Sequence, residues 1–239
     1  MTAMYFVWLG SGRAKRRHVD PEGQLLDQAA KAGLPVAPGA ILLDEFYRVC
    51  LEKSLLEVSN GRVNIPDAEL LHGTLFHSVR LPRFERQVGV SLIPTGVDEI
   101  HKSDEPRRQH IIDTARPDEL ARALATSWNN AAHRPDEARR DLLLVEEIAA
   151  EYSGRAFLSN EQREDRVEYS DGDTRGLTLA LPVLTGWRKP GEDLPHFARR
   201  LQMLLRGVRR TFGQGEWVIE WADDGRVCSL TRIIAPVSR

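Results

Sequence analysis

The chain has 239 residues, 41% of them hydrophobic, and a formal net charge of −2. That hydrophobic share can bury a core and excludes a disordered chain, while the near-balanced charge excludes whole-surface attraction to nucleic acid or anionic membrane. No apolar run reaches the roughly 20 residues of a membrane helix, and the first apolar residues precede the basic ones, the reverse of a secretory signal. The expectation is a cytoplasmic protein with no membrane span.

In chain order, residues 4–9 read as a buried first strand, followed by the basic loop "GSGRAKRR". "PEGQLLDQAAKAG" predicts a short helix with Leu25, Leu26 and Ala29 inward and Gly33 closing it. In "LPVAPGAILLD", Pro35 and Pro38 restrict the backbone and residues 40–43 form a strand. Phe46, Val49, Cys50 and Leu56 then recur at helical spacing. "TLFHSVRL" predicts another short strand, and residues 82–108 a long polar surface loop enclosing the strand "VGVSLI".

Asp118 is expected to cap a helix on which Leu120, Leu124 and Trp128 stack at intervals of four. "DLLLVEEIAAEYSGRAFLSN" predicts two strands joined through residues 151–154, and "RVEYSDGDTRGLTLALPVL" a hairpin turned by "SDGD". The strongest helical pattern covers residues 194–212. Phe197, Leu201, Leu204, Leu205, Val208 and Phe212 share one face, and Arg199, Arg200, Arg206, Arg209 and Arg210 crowd the other. In the closing hairpin Trp217, Ile219 and Trp221 alternate before the turn "DDG". Strands and helices interleave, which predicts an α/β or α+β protein with mixed sheets. Cys50 and Cys228 read as buried free thiols, and the seven histidines make no zinc spacing.

Four blocks, in order, resemble the N-terminal nucleotide-binding domain of the pyruvate phosphate dikinase and phosphoenolpyruvate synthase family. "AGLPVAPGAILLDEFYR" looks like that family's opening strand and helix. "DELARALATSWNNA" is similar to its Trp-x-Ser helix, although Ser127 here precedes Trp128. "LLLVEEIAAEYSGRAFLSN" resembles its two central strands, and "FGQGEWVIEWADDGRV" its closing hairpin. The likeness runs from about residue 21 to the end. It implies a two-lobed ATP-grasp-like fold with mixed sheets, an N-terminal lobe of residues 1–116 and a C-terminal lobe of residues 117–239. It also implies ATP and Mg2+ as ligands and a dikinase-like phosphotransfer, for which a phosphohistidine domain or other protein partner would be separate.

Carried over position by position, the resemblance makes Arg80, in "FHSVRLPRF", a phosphate-contacting residue, and Glu220, in "VIEWA", a metal-binding one. Glu146, Glu147 and Ile148, in "VEEIA", fall on the strand that contacts adenine through its backbone; the alternative is a plain core strand. Departures are numerous. Glu22 replaces a phosphate-binding lysine, Leu81 and Pro82 replace two serines, and Val218 replaces the acidic partner of Glu220. The family's last glutamine falls on Thr231 or Arg232, and its arginine on Ile233 or Ile234. Arg80 binds an anion or pairs with a carboxylate; both readings stand. The basic loop reads as a solvated surface segment in preference to a phosphate cradle.

The expected function is therefore a degenerate, stand-alone ATP-binding domain with weakened phosphoryl transfer, an enzyme only if Arg80 and Glu220 still act. The alternatives are a phosphotransferase subunit working with separate domains, or a protein- or nucleic-acid-binding module using the arginine-rich helix. The acidic balance disfavours nucleic acid.

Overall fold

The computed structural model describes residues 4–93, 109–131, 138–186 and 188–234. The chain forms two compact units, one of residues 1–24 and 38–147, the other of residues 25–37 and 148–239. The helix of residues 117–129 belongs to the first unit, whereas the sequence boundary at 116/117 falls just before it.

The elements of the first unit begin with β1 (Phe6–Trp8) and the start of α1 (Pro21–Lys31). β2 (Gly39–Leu42), α2 (Asp44–Glu52), β3 (Glu57–Ser59), β4 (Arg62–Asn64) and α3 (Ala68–Gly73) follow. A π-helical turn over Thr74–Ser78 leads to β5 (Val88–Leu92), β6 (His110–Ile112), α4 (Pro117–Asn129) and β7 (Leu142–Glu146). The strands form a sheet in the order β1-β2-β7-β5-β6. Its central strands carry unbroken apolar runs, Ala40 to Leu42 and Leu142 to Leu144, because both faces are covered. On one face Phe46, Leu71, Leu75, Leu120, Leu124 and Trp128 pack against Ala40, Leu42, Val90 and Leu144 in a single cluster.

Several local expectations change here. "TLFHSVRL" is not a strand. Asp67 accepts a hydrogen bond from the Leu70 amide at 2.8 Å and so caps α3, and Leu71 and Leu75, four apart, are both buried. The helix therefore runs on into the π turn. The second helix ends at Glu52, and the hairpin β3–β4 follows. Its turn holds Asn60 and Gly61 at φ 51° and 71°, the left-handed pair that a two-residue hairpin loop requires. Asp118 lies inside the first turn of α4, which Pro117 opens; Arg116 is the cap residue. Of the loop expected over 82–108, residues 94–108 lie outside the described residues.

The second unit contains the rest of α1, then β8 (Tyr152–Leu158), β9 (Glu164–Ser170), β10 (Leu177–Pro182), α5 (His196–Phe212), β11 (Trp217–Asp223) and β12 (Cys228–Ile234). The sheet order is β10-β9-β8-β11-β12. Both expected hairpins form, β9–β10 and β11–β12. One face of the sheet carries Ala156, Val167, Leu181, Ile219, Trp221 and Ile233 against Phe197, Ala198, Leu201, Leu205 and Val208 of α5, all buried. Phe197 lies between Tyr152, stacked at 4.3 Å, and Trp221, stacked at 6.0 Å.

The fold is α+β. Mixed sheets are corrected: every ladder between named strands is antiparallel, and the parallel pairing among the described residues is an isolated bridge of Val36 to Leu230. Short turns join β8 to β9, β9 to β10 and β11 to β12, and a connection that short can make only an antiparallel pair. Cys50 and Cys228 are free, buried thiols. Burial pushes the Cys50 thiol up to about 12 and raises that of Cys228 as well, so neither is a nucleophile near neutral pH.

Gly154 is the tightest crossing in the second sheet. A Cβ there would overlap the Glu168 carbonyl oxygen and lie 2.7 Å from the Tyr169 Cα, both backbone atoms that cannot turn aside. Replacing Gly154 with Ala is expected to cost about 1–3 kcal/mol through overpacking, read as a lower urea midpoint with unchanged slope. An unchanged midpoint would mean that β8 and β9 are not in this register.

Candidate functional site

The face of the second sheet opposite α5 is built by alternation. Along β11, Ile219 and Trp221 point into the core, so Val218, Glu220 and Ala222 share the other face. Register then places Arg155 of β8 on one side of Glu220 and Arg232 of β12 on the other. A bulge after Glu220 shifts the β12 register there, and it leaves Arg232 opposite Glu220.

Both guanidiniums converge on the same oxygen. Arg155 reaches Glu220 Oε1 with Nε and Nη2 at 3.1 Å each, and Arg232 donates to it from Nη1 at 3.3 Å. The Glu220 side chain is 14% exposed, that of Arg155 20% and that of Arg232 3%. Farther along this face, Arg166 lies 4.1 Å over the Phe157 ring and pairs with Glu168 at 3.5 Å. Arg166 thus lies between Glu164 and Glu168 on its own strand, and Glu220 meets two guanidiniums.

This donor set does not fit a divalent cation. A dication about 5 Å from a guanidinium is repelled by roughly 6 kcal/mol at an effective dielectric of about 20, and Glu220 has two such neighbours. The residue expected to supply a second carboxylate is Val218, on the same face. Among the described residues, no group of three or more His, Cys, Asp or Glu could hold a metal ion. Anionic oxygens suit the same surface, since Arg is the side chain that forks onto carboxylate and phosphate.

The remaining sequence-derived positions lie as follows. Glu220 belongs to the second unit and Arg80 to the first. Arg80 is exposed at φ 61°, just after the π turn, and the next residue, Leu81, is buried with its amide bonded to the Leu75 carbonyl. The strand on which the family likeness would set Arg80 is absent. Glu146 ends β7; its amide donates to the Pro38 carbonyl and its carboxylate accepts from the Glu85 amide. The Glu147 amide donates to the Gln87 carbonyl. Of the three residues expected to contact adenine, Ile148 is the one whose amide has no acceptor among the described residues. Glu22, expected to face a triphosphate, is buried in α1 at 1% exposure.

The arginine-rich face of α5 is largely committed to the protein itself. Arg200 forks onto Asp223 at 2.6 and 2.8 Å, and Arg209 forks onto Asp165. Both carboxylates are buried. Arg199 donates to the carbonyls of Leu194 and Glu192, and Arg206 to that of Arg188 at 3.1 Å. Arg210 alone of the five has no hydrogen bond or ion pair among the described residues. The sequence shows five cations on a helix; the fold spends four of them inward.

Arg155 was not singled out by the sequence, although it stands next to the core-facing Ala156 and hence on the opposite face. Its pairing with Glu220, 65 residues away, depends on a register that no local signal specifies.

No protein-family model matches the sequence, and no curated protein matches it. Among solved structures, the chain is similar to the D-alanine–D-alanine ligase of Coxiella burnetii, at 10% identity over 94% of this chain and 48% of that one, with a TM-score of 0.43. It is also similar to carboxyaminoimidazole ribonucleotide synthase of Aspergillus clavatus complexed with ATP, at 11% identity over 91% and 44% and a TM-score of 0.44. A third is the ATP-grasp ligase PsnB with a precursor peptide and AMPPNP, at 12% identity over 96% and 54% and a TM-score of 0.43. The chain spans about half the length of these structures.

The neighbouring arginines Arg209 and Arg210 of α5 generate a contrast. Arg209→Met strands a buried carboxylate and is expected to cost about 3–5 kcal/mol, whereas Arg210→Met is expected to stay within about 0.5 kcal/mol. Thermal unfolding of the two variants checks this; equal, small losses would restore the arginines to a free basic surface.

Proposed function

We propose that this chain is an ATP-grasp-type nucleotide-binding unit in which arginines hold the phosphates and metal-assisted phosphoryl transfer has been lost. The observation that carries the reading is the capture of Glu220 by Arg155 and Arg232 on the open face of the second sheet. In the dikinase-like arrangement that the four sequence blocks imply, that glutamate would hold a metal. Here two guanidiniums close on it instead.

Phosphoryl transfer draws on cations at the phosphates and carboxylates on the metal. Mg2+, when bound, would neutralise charge building on the transferred group. In this chain Arg155 and Arg232 would bind and orient phosphate oxygens, and Glu220 would hold the two guanidiniums in place. Nucleotide binding without turnover is the activity this supports, and a protein partner would read out the bound state.

Titration calorimetry with ATP in EDTA and in Mg2+ tests the proposal. ATP is expected to bind in EDTA with no gain on adding Mg2+, and Arg155→Met is expected to weaken it roughly tenfold, the loss of one charge-assisted contact. Glu220→Gln, which keeps an accepting oxygen and removes the negative charge, is expected to preserve or tighten binding. Loss of Mg2+-dependent ATP binding in Glu220→Gln, or release of phosphate from ATP by the unaltered protein, would contradict the proposal.

A further inference from the structure

A cavity of about 380 Å³ opens in the first unit, and none of Arg80, Glu146, Glu147, Ile148 and Glu220 lines it. Such a volume lies in the range of small-molecule sites, roughly 300–1,000 Å³. Three elements wall it. Tyr47, Arg48 and Leu51 come from α2, Val58 and Val63 from the β3–β4 hairpin, and Trp128 from α4, with Arg140 completing the lining.

The walls are fixed before anything binds. The hairpin is fastened to α4 by Asn129, whose side chain accepts from the Val63 amide at 2.5 Å and donates to its carbonyl at 3.4 Å. The rings of Tyr47 and Trp128 meet edge to face at 5.2 Å, and Trp128 Nε1 donates to the Arg140 carbonyl at 3.2 Å. The Arg140 guanidinium lies 5.2 Å over the Tyr47 ring. A preformed site spends little binding free energy on ordering itself.

Its chemistry has two halves. Val58 and Leu51 are 49% and 38% exposed, large apolar side chains left at the rim beside two aromatic rings. Arg48 and Arg140 supply the polar half. Arg48 uses Nε on Asp44 at 2.6 Å, and its side chain is 55% exposed. The hydrogen bond it donates to Asp44 raises the Arg48 pKa, which keeps it a cation. Among the described residues, the acids of this corner do not line the cavity. Asp44 and Asp141 are buried, accepting the amides of Arg140 and Asp44, and Glu45 pairs with Arg139. Three arginines and three acids balance overall, but an entering molecule meets guanidiniums first.

We infer that this cavity is a binding site for a small molecule made of a single planar ring bearing an anionic group, an aryl phosphate or aryl carboxylate. The ring would cover Leu51 and Val58 at the rim beside Tyr47 and Trp128. The anionic group would sit between Arg48 and Arg140, where a fork can meet two oxygens. A cationic ring would meet two like charges.

Titration of the full chain with phenyl phosphate, benzoate and benzamidine, followed by calorimetry, tests this. Phenyl phosphate and benzoate are expected to bind at one site and benzamidine not at all. Val58→Glu, at an exposed position, is expected to weaken phenyl phosphate about tenfold with an unchanged unfolding temperature, and Arg48→Met to weaken it as much while lowering the unfolding temperature, because it leaves the buried Asp44 without its cation. Arg155→Met, in the other unit, is expected to leave it unchanged. Absence of phenyl phosphate binding, equal binding of benzamidine, or a loss in Arg155→Met without one in Arg48→Met would overturn the inference. The last outcome would assign the phenyl phosphate to the sheet face, while the nucleotide proposal would stand.

Discussion

The second unit depends on one rule applied to both faces of its sheet: a charge taken out of water must be met by its opposite. Asp165 and Asp223 point to the helix side and are almost wholly buried. Each would be ruinous alone, since an unpaired buried carboxylate costs several kcal/mol. Arg209 and Arg200 close on them in two-pronged pairs, and these pairs fix where α5 lies along β9 and β11. The aromatic stack of Tyr152, Phe197 and Trp221 then fills the space that the pairs define. On the opposite face the same chemistry has a different outcome, because Glu220 meets two arginines, a surplus of guanidinium over carboxylate at that point.

That surplus decides what the face can hold. Two nearby carboxylates would invite a divalent cation; one carboxylate between two guanidiniums invites an oxyanion. Val218 and Arg232 therefore act together, one supplying no carboxylate beside Glu220 and the other placing a guanidinium opposite it. The first unit shows a parallel economy. Its acids Asp44, Glu45 and Asp141 are tied to arginines and backbone amides at the start of α2, and the arginines of that corner front the cavity.

Much of this architecture was legible in the sequence wherever local chemistry is decisive. The alternation of Trp217, Ile219 and Trp221, the turn at "SDGD" and the long apolar stripe from Phe197 to Phe212 each specify an element without help from the rest of the chain. The errors arise where tertiary context overrides a short signal. "TLFHSVRL" carries strand-like composition, yet the cap at Asp67 and the spacing of Leu71 and Leu75 make it helical. The turn at Asn60 and Gly61 is a readable hairpin signal just past the helical spacing that runs to Leu56. The site was less legible than the fold. Glu220 could be placed on a face by counting, but its partners come from strands 65 and 12 residues away, and only the register reveals them. The five arginines of α5 look alike in sequence; burial separates Arg209 from Arg210.

The central claim is that the open face of the second sheet holds anionic oxygens through Arg155 and Arg232 and takes no metal at Glu220. A crystal structure of the protein grown with ATP and Mn2+, with anomalous scattering recorded at the manganese edge, tests it most directly. The account predicts phosphate density against the two guanidiniums and no manganese peak within coordination distance of Glu220. A manganese ion bound to Glu220, with Arg155 and Arg232 swung away, would contradict it.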